Sequence, residues 1–236
     1  MRCGHLAGLT LALTTMTVAS TAAQTGGEGT AWRPWRPVIG LGAGWTGADD
    51  LGRVTAAQRA AAIGTTTPAP YPVFAVDSTL GGASRAELAL GVPVTSTLLV
   101  EVIGTLARPT LTSAISADVE GAPDIEVTET VDEYTVGARL VYDVAGLTMA
   151  GRVTPFVAAG GAYLRQLHAD QVLVETGQMW SGSVGARLWL RPARSGRRGT
   201  VGATVEGGWI VRSGGIHFVD GTRSMPTVSV RLFAGF

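Results

Sequence analysis
The chain has 236 residues, 46% of them hydrophobic, with 33 glycines, 18 basic and 18 acidic residues and a formal net charge of zero. A balanced charge leaves no electrostatic footprint for nucleic acid, which is not an expected partner. Past residue 23 no apolar run reaches the roughly 18 residues that a membrane-crossing helix needs, so spanning helices are excluded.

In chain order, Met1-Arg2-Cys3-Gly4-His5 leads into an apolar run from Leu6 to Val18 that ends in Ala19-Ser20-Thr21-Ala22-Ala23-Gln24. A cationic start, a short apolar core and a small-residue exit predict a secretory signal peptide over residues 1–23. The alternative, an N-terminal membrane anchor, would need about 20 apolar residues. Cleavage before Gln24 removes Arg2 and the single cysteine, Cys3, leaving 17 arginines, no lysine and 18 acids. Such a chain forms no disulfide and no thiolate metal site, so packing and backbone ladders must hold it. Residues 24–36, with Gly26, Gly27, Gly29 and Pro34, read as a flexible periplasmic lead-in to a domain over 37–236.

Within that domain, segments of about ten residues alternate apolar with small or polar side chains and are separated by turn-rich stretches. Eight are predicted: Val38 to Gly47, Arg85 to Val94, Thr97 to Leu106, Glu133 to Val144, Val153 to Leu164, Met179 to Leu190, Val201 to Arg212 and Thr227 to Phe236. The pattern predicts an all-β, eight-stranded antiparallel up-and-down transmembrane β-barrel. One face of the strands is apolar throughout. The other carries Arg85, Glu87, Glu101, Arg139, Asp143, Arg187, Glu206 and Arg231. Four cations against four anions predict paired ions plugging a narrow lumen; the alternative places several of them in water at the rims. The partner of Arg231 is sought among acids such as Glu87 and Glu206. Glycines such as Gly160 and Gly161 are expected to make room for bulky lumen neighbours, Arg139 and Arg187 among them.

Connections after the second, fourth and sixth segments are short or moderate, and the others are longer, including a polar link from Arg165 to Gln178. Short periplasmic turns alternating with longer external loops place both chain ends on the periplasmic side. Trp45, Tyr134, Tyr163, Trp180 and Trp209 then form an external aromatic girdle, and Tyr142 and Phe236 a periplasmic one. In the first loop, Ala48 to Ser84, Ala56 to Ala62 suggests a turn or two of helix. Pro68-Ala69-Pro70-Tyr71-Pro72 blocks regular structure, and Val73 to Leu80 is expected to extend the second strand above the bilayer.

Thr154-Pro155-Phe156-Val157-Ala158-Ala159-Gly160-Gly161-Ala162-Tyr163-Leu164 resembles a strand of small outer-membrane proteins of the OmpA-like β-barrel superfamily. The ending Val228 to Phe236 resembles their assembly signal, and Arg165-Gln166-Leu167-His168 with Val174 to Gln178 is similar to uncharacterised members. The resemblance spans roughly residues 37–236. It implies outer-membrane location, contact with lipid and lipopolysaccharide, and reading of Phe236 by the barrel-assembly machinery. It implies no one activity, since the superfamily hosts structural, adhesive, transport and enzymatic members.

His168 and His217, near Asp170 and Asp220, form a weak metal-ligand set, and no metal or other cofactor is expected. A lipid A hydrolase or acyltransferase would draw on Ser181 or Ser183, His168 and Glu175, but the lumen parity of the serines and the position of His168 beyond the strand argue against it. No catalytic residue is assigned. The sequence therefore favours a monomeric outer-membrane barrel with a structural or surface-interaction role carried by its external loops. A lipid A-modifying enzyme and a narrow passive pore are the alternatives.

Overall fold
Alternation with a period of two sends successive side chains to opposite faces of a strand, so eight such segments can close on themselves with one apolar and one polar wall. The computed structural model describes residues 32–59, 69–169, 172–191, 199–217 and 221–236. The strands are β1 (Val38–Thr46), β2 (Asp49–Gln58), β3 (Tyr71–Leu80), β4 (Ala83–Pro93), β5 (Leu98–Ala107), β6 (Thr110–Ser116), β7 (Ile125–Thr130), β8 (Asp132–Asp143), β9 (Val153–Leu167), β10 (Val174–Arg191), β11 (Thr200–Gly214) and β12 (Thr222–Gly235). A 3-10 turn, Ala145–Leu147, lies between β8 and β9.

Eight strands form a closed antiparallel barrel in the order β1-β12-β11-β10-β9-β8-β5-β4, which is the eight-stranded up-and-down barrel that the alternation predicts. Closure pairs the first strand with the last, Val38 opposite Gly235 and Trp45 opposite Val228. The apolar parity faces outward along every barrel strand: Leu41, Leu90, Val102, Leu140, Val157, Val184, Val205 and Leu232 are all exposed. In water such a surface would drive aggregation; in hydrocarbon it is the stable face.

The remaining strands form a second sheet in the order β2-β3-β6-β7, built from the two long connections on the external side. Leu51, Leu80, Leu111, Val131 and Ile216 form its buried cluster, with Ile216 reaching in from the connection after β11. This corrects the reading of the first loop. Of the stretch Ala56 to Ala62, Ala56, Ala57 and Gln58 are extended residues of β2, not a helical turn, because β3 offers them a hydrogen-bonding ladder; Ala60 to Ala62 lie outside the described residues. Val73 to Leu80 does not lengthen the second barrel strand. It belongs to β3, which runs on from Tyr71 and pairs with both β2 and β6. Pro72 is tolerated there because β6 reaches only as far as Ala75, leaving the proline one side without a ladder.

Two further expectations are corrected. Arg165 to Leu167 and Val174 to Gln178 are not a polar link. They continue the β9–β10 hairpin in register, Leu167 opposite Val174, beyond the girdle and into water, where strands need no apolar face. The part of the lead-in that is described is not flexible: Trp32 is 4% exposed, stacked inside the barrel mouth, and the Trp32 and Trp35 N–H groups donate to the Ser96 and Pro93 carbonyls. Trp189, Phe233 and the Arg187 guanidinium give the Trp32 ring aromatic and cation–π partners there. The signal peptide and residues 24–31 lie outside the described residues.

Candidate functional site
The lumen is filled in layers. At the short-turn end Trp32, Phe156, Trp189 and Phe233 surround Arg187, whose guanidinium carbon lies 4.5 Å from the Trp32 ring centre and 5.2 Å from that of Phe156. Asp143 pairs with Arg187, and the Trp189 indole N–H donates to Thr154 at 3.1 Å. Cation–π contact and an ion pair together offset the desolvation of one arginine.

One layer outward, four side chains make a ring. Arg139 donates to Glu101 at 2.8 Å and to Glu206 at 2.8 Å, while Arg231 donates to Glu101 at 3.1 Å and lies 3.8 Å from Glu206. Ser229 adds a hydrogen bond to Glu206 at 3.2 Å. Glu101 and Arg139 face each other on β5 and β8; Glu206 and Arg231 are supplied by β11 and β12 on the opposite wall. Two of the four contacts therefore cross the barrel. Glycines make room for the ring: a Cβ at Gly40 would fall 2.8 Å from Cδ of Arg231, and one at Gly160 2.5 Å from Cβ of Arg139, whereas Gly161, contrary to expectation, faces outward against the Trp180 ring. Arg85 donates to Glu87 at 2.7 Å and to Thr46 at 3.0 Å. The acids around Arg231 are thus Glu101 and Glu206, whereas Glu87 is engaged by Arg85.

The external end holds a second polar group that the charge reading of the sequence omitted. Arg212 pairs with Glu133 at 2.5 Å, Gln166 donates to Glu133 at 2.9 Å, and the Ile216 N–H donates to Gln166 at 2.9 Å. Arg223 donates to the Ile216 and Gly214 carbonyls and lies 3.4 Å from Asp49, tying β12 to the external sheet. Burial raises the Asp49 carboxyl above the ordinary carboxylate range, opposed by the Arg223 charge. Glu133 and Arg212 carry lumen parity at the ends of their segments, a signal that would have found them. Asp49 and Arg223 lie outside all eight segments and carry none. Internal voids beside Trp32 and Arg231, and beside Glu133 and Arg212, are about 10 Å³ each, room for about one water apiece.

The catalytic candidates are not brought together. His168 lies past the tip of β9 and contacts Glu129 of β7. Ser181 sits on the lumen parity of β10, seven residues along from Val174 at that tip, or roughly 23 Å of strand. Glu175 is registered opposite Gln166. Among the described residues no group of three His, Cys, Asp or Glu side chains could hold a metal; Asp170 and Asp220 lie outside the described residues. Phe236 is exposed at the short-turn end, with its N–H donating to the Pro37 carbonyl at 3.1 Å.

On the outer face Trp45, Tyr134, Tyr163, Trp180 and Trp209 are all exposed at the external end, and Tyr142 and Phe236 at the other. A closed barrel with an apolar exterior, aromatics at both rims and a filled, charged interior is the architecture of a bacterial outer-membrane β-barrel. No family model and no curated protein matches the chain. Among solved structures it is similar to the outer membrane protein OprG of Pseudomonas aeruginosa, at 11% identity and a TM-score of 0.47, covering 87% of this chain and 97% of that one. It is also similar to the outer membrane protease OmpT of Escherichia coli, at 10% identity and a TM-score of 0.32, covering 88% and 98%. Neither likeness assigns a role to this chain.

Proposed function
We propose that this barrel is a membrane anchor and envelope element whose specific work is surface interaction, carried by the β2-β3-β6-β7 sheet on the external side. The observation behind this reading is the contrast between the two halves of the molecule. The lumen is occupied by paired charges and packed aromatics, a poor route for solute. The external sheet keeps its own apolar cluster and also exposes Val54, Tyr71, Ile125 and Val127. Surface-exposed apolar side chains on a supported sheet are a common basis of protein or ligand contact. Outer-membrane lipid and lipopolysaccharide surround the barrel in this reading, and the barrel-assembly machinery inserts it.

The test compares cells lacking the gene, cells with the wild-type protein, and cells in which short turns replace residues 48–82 and 109–130. Attachment to surfaces and other cells should fall to the gene-less level when the sheet is removed, while the barrel remains inserted and heat-modifiable. Full attachment by the sheet-less barrel would overturn the proposal.

A further inference from the structure
The outward face of β8, β9 and β10 is not uniformly bulky. Ala138, Ala159, Gly161 and Gly182 form the floor of a groove walled by Trp180 and Trp209, with a volume of about 560 Å³. The Trp180 ring lies against Gly161, where a Cβ would fall 3.0 Å from it; a Cβ at Gly182 would meet nothing within 4 Å. Both tryptophans belong to the external girdle, so the groove opens into the outer leaflet's hydrocarbon. Its size lies within the roughly 300–1,000 Å³ of small-molecule sites.

Further toward the external end of the same three strands, the girdle residue Tyr134 is a register partner of Arg165, and Arg165 of Thr176. All three are exposed on the outward face. A phenol, a guanidinium and a hydroxyl side by side make a donor row suited to a phosphate, and arginine is the cation that best matches phosphate oxygens. Among the described residues nothing forms an ion pair with Arg165. The neighbouring cation on this rim, Arg108, is held by Asp132 at 2.8 Å. The donor row lies at headgroup height, above a groove at acyl-chain height.

We propose that this face binds a phosphorylated, multiply acylated glycolipid of the outer leaflet, lipid A, with one acyl chain in the groove over Gly161 and Gly182 and one phosphate on Tyr134, Arg165 and Thr176. The site rests on the membrane reading of the barrel and is independent of the role given to the external sheet. Charge complementarity commits it to an anionic lipid, and the external position commits it to the glycolipid rather than to a phospholipid of the inner leaflet.

The experiment is native mass spectrometry of the refolded protein in detergent, titrated with bisphosphorylated lipid A, with lipid A stripped of phosphate, and with phosphatidylglycerol. Wild-type protein should retain bisphosphorylated lipid A in preference to the other two. Arg165→Gln should lower that retention about tenfold, the loss of one charge-assisted contact. Gly182→Phe, at a position where a Cβ meets nothing within 4 Å, should lower it by filling the groove; should that variant fail to fold, Thr176→Val reads the donor row instead. Arg53→Gln, in the external sheet, should change nothing. Equal retention of lipid A and phosphatidylglycerol by wild type, or unchanged retention in both Arg165→Gln and the second variant, would overturn the proposal, and heat-modifiability of each variant separates loss of binding from loss of the barrel.

Discussion

Arg139 on β8 and Glu206 on β11 stand on opposite walls of the barrel, 67 positions apart in sequence, and meet at 2.8 Å in its interior. Their contact, with that of Arg231 to Glu101, braces the cylinder across its diameter. Replacing a whole buried ion pair with apolar groups is often neutral, but removing one partner strands a charge and costs about 3–5 kcal/mol. Arg139→Gln should therefore lower unfolding stability in lipid by about that amount, and adding Glu206→Gln should restore part of it. Urea titration followed by tryptophan fluorescence in liposomes measures both; additive losses would show that the two side chains do not act together.

Neighbouring residues on β12 should respond differently in kind. Val230 is exposed on the outward parity and Arg231 is buried on the inward one. Val230→Arg places a charge in hydrocarbon at about 2–4 kcal/mol, depending on depth. Its effect should vary with bilayer thickness, whereas Arg231→Ala should vary little with the lipid and be partly rescued by Glu101→Gln. Thiol labels at both positions check the facing directly: a lipid-exposed label at 231 and a water-accessible one at 230 would shift the register by one residue.

Trp32 seals the short-turn end, with its ring centre 4.8 Å from that of Trp189 and 5.4 Å from that of Phe233. Trp32→Ala removes a packed aromatic and one wall of the Arg187 cage, at about 3–5 kcal/mol. Trp32→Phe should recover most of this. Unfolding midpoints that do not distinguish the two variants would contradict the capping role.

Asp49 makes the link between β12 and the external sheet pH-dependent. Its folded-state carboxyl is raised by burial, so the folded form is favoured when the group is protonated. That stability is fully present below the unfolded value of about 3.9 and is lost as pH rises through the raised one. Protease cleavage within β2–β3 should accordingly be slower at mildly acidic than at neutral pH, relative to Asp49→Asn, in which the dependence should flatten. An identical pH profile in both proteins would count against it.

The barrel was legible because its two walls face solvents of opposite character, which forces a period of two on every strand. Leu41, Val102 and Leu232 could be placed outward from alternation alone. The external sheet lacks that constraint. β7 exposes Ile125 and Val127 as well as Glu126 and Thr128, so burial imposes no period there, and β2 is interrupted by a register shift between Asp50 and Gly52. The inward parity of Arg139, Glu101, Glu206 and Arg231 was also legible. Which acid meets which arginine was not, because the cross-lumen contacts depend on barrel diameter and shear rather than on spacing in the chain. Trp32 was hidden by its neighbours: among glycines and prolines it reads as linker, and only the open barrel mouth gives it a place to bury.

Paired charges and packed aromatics close the lumen at three levels along the barrel. Planar-bilayer recording of the refolded wild-type barrel tests this most directly. The ion ring, the Arg187 cage and the Arg212–Glu133 layer predict a silent protein. Steady, long-lived channels in the wild-type protein would show that the lumen is open.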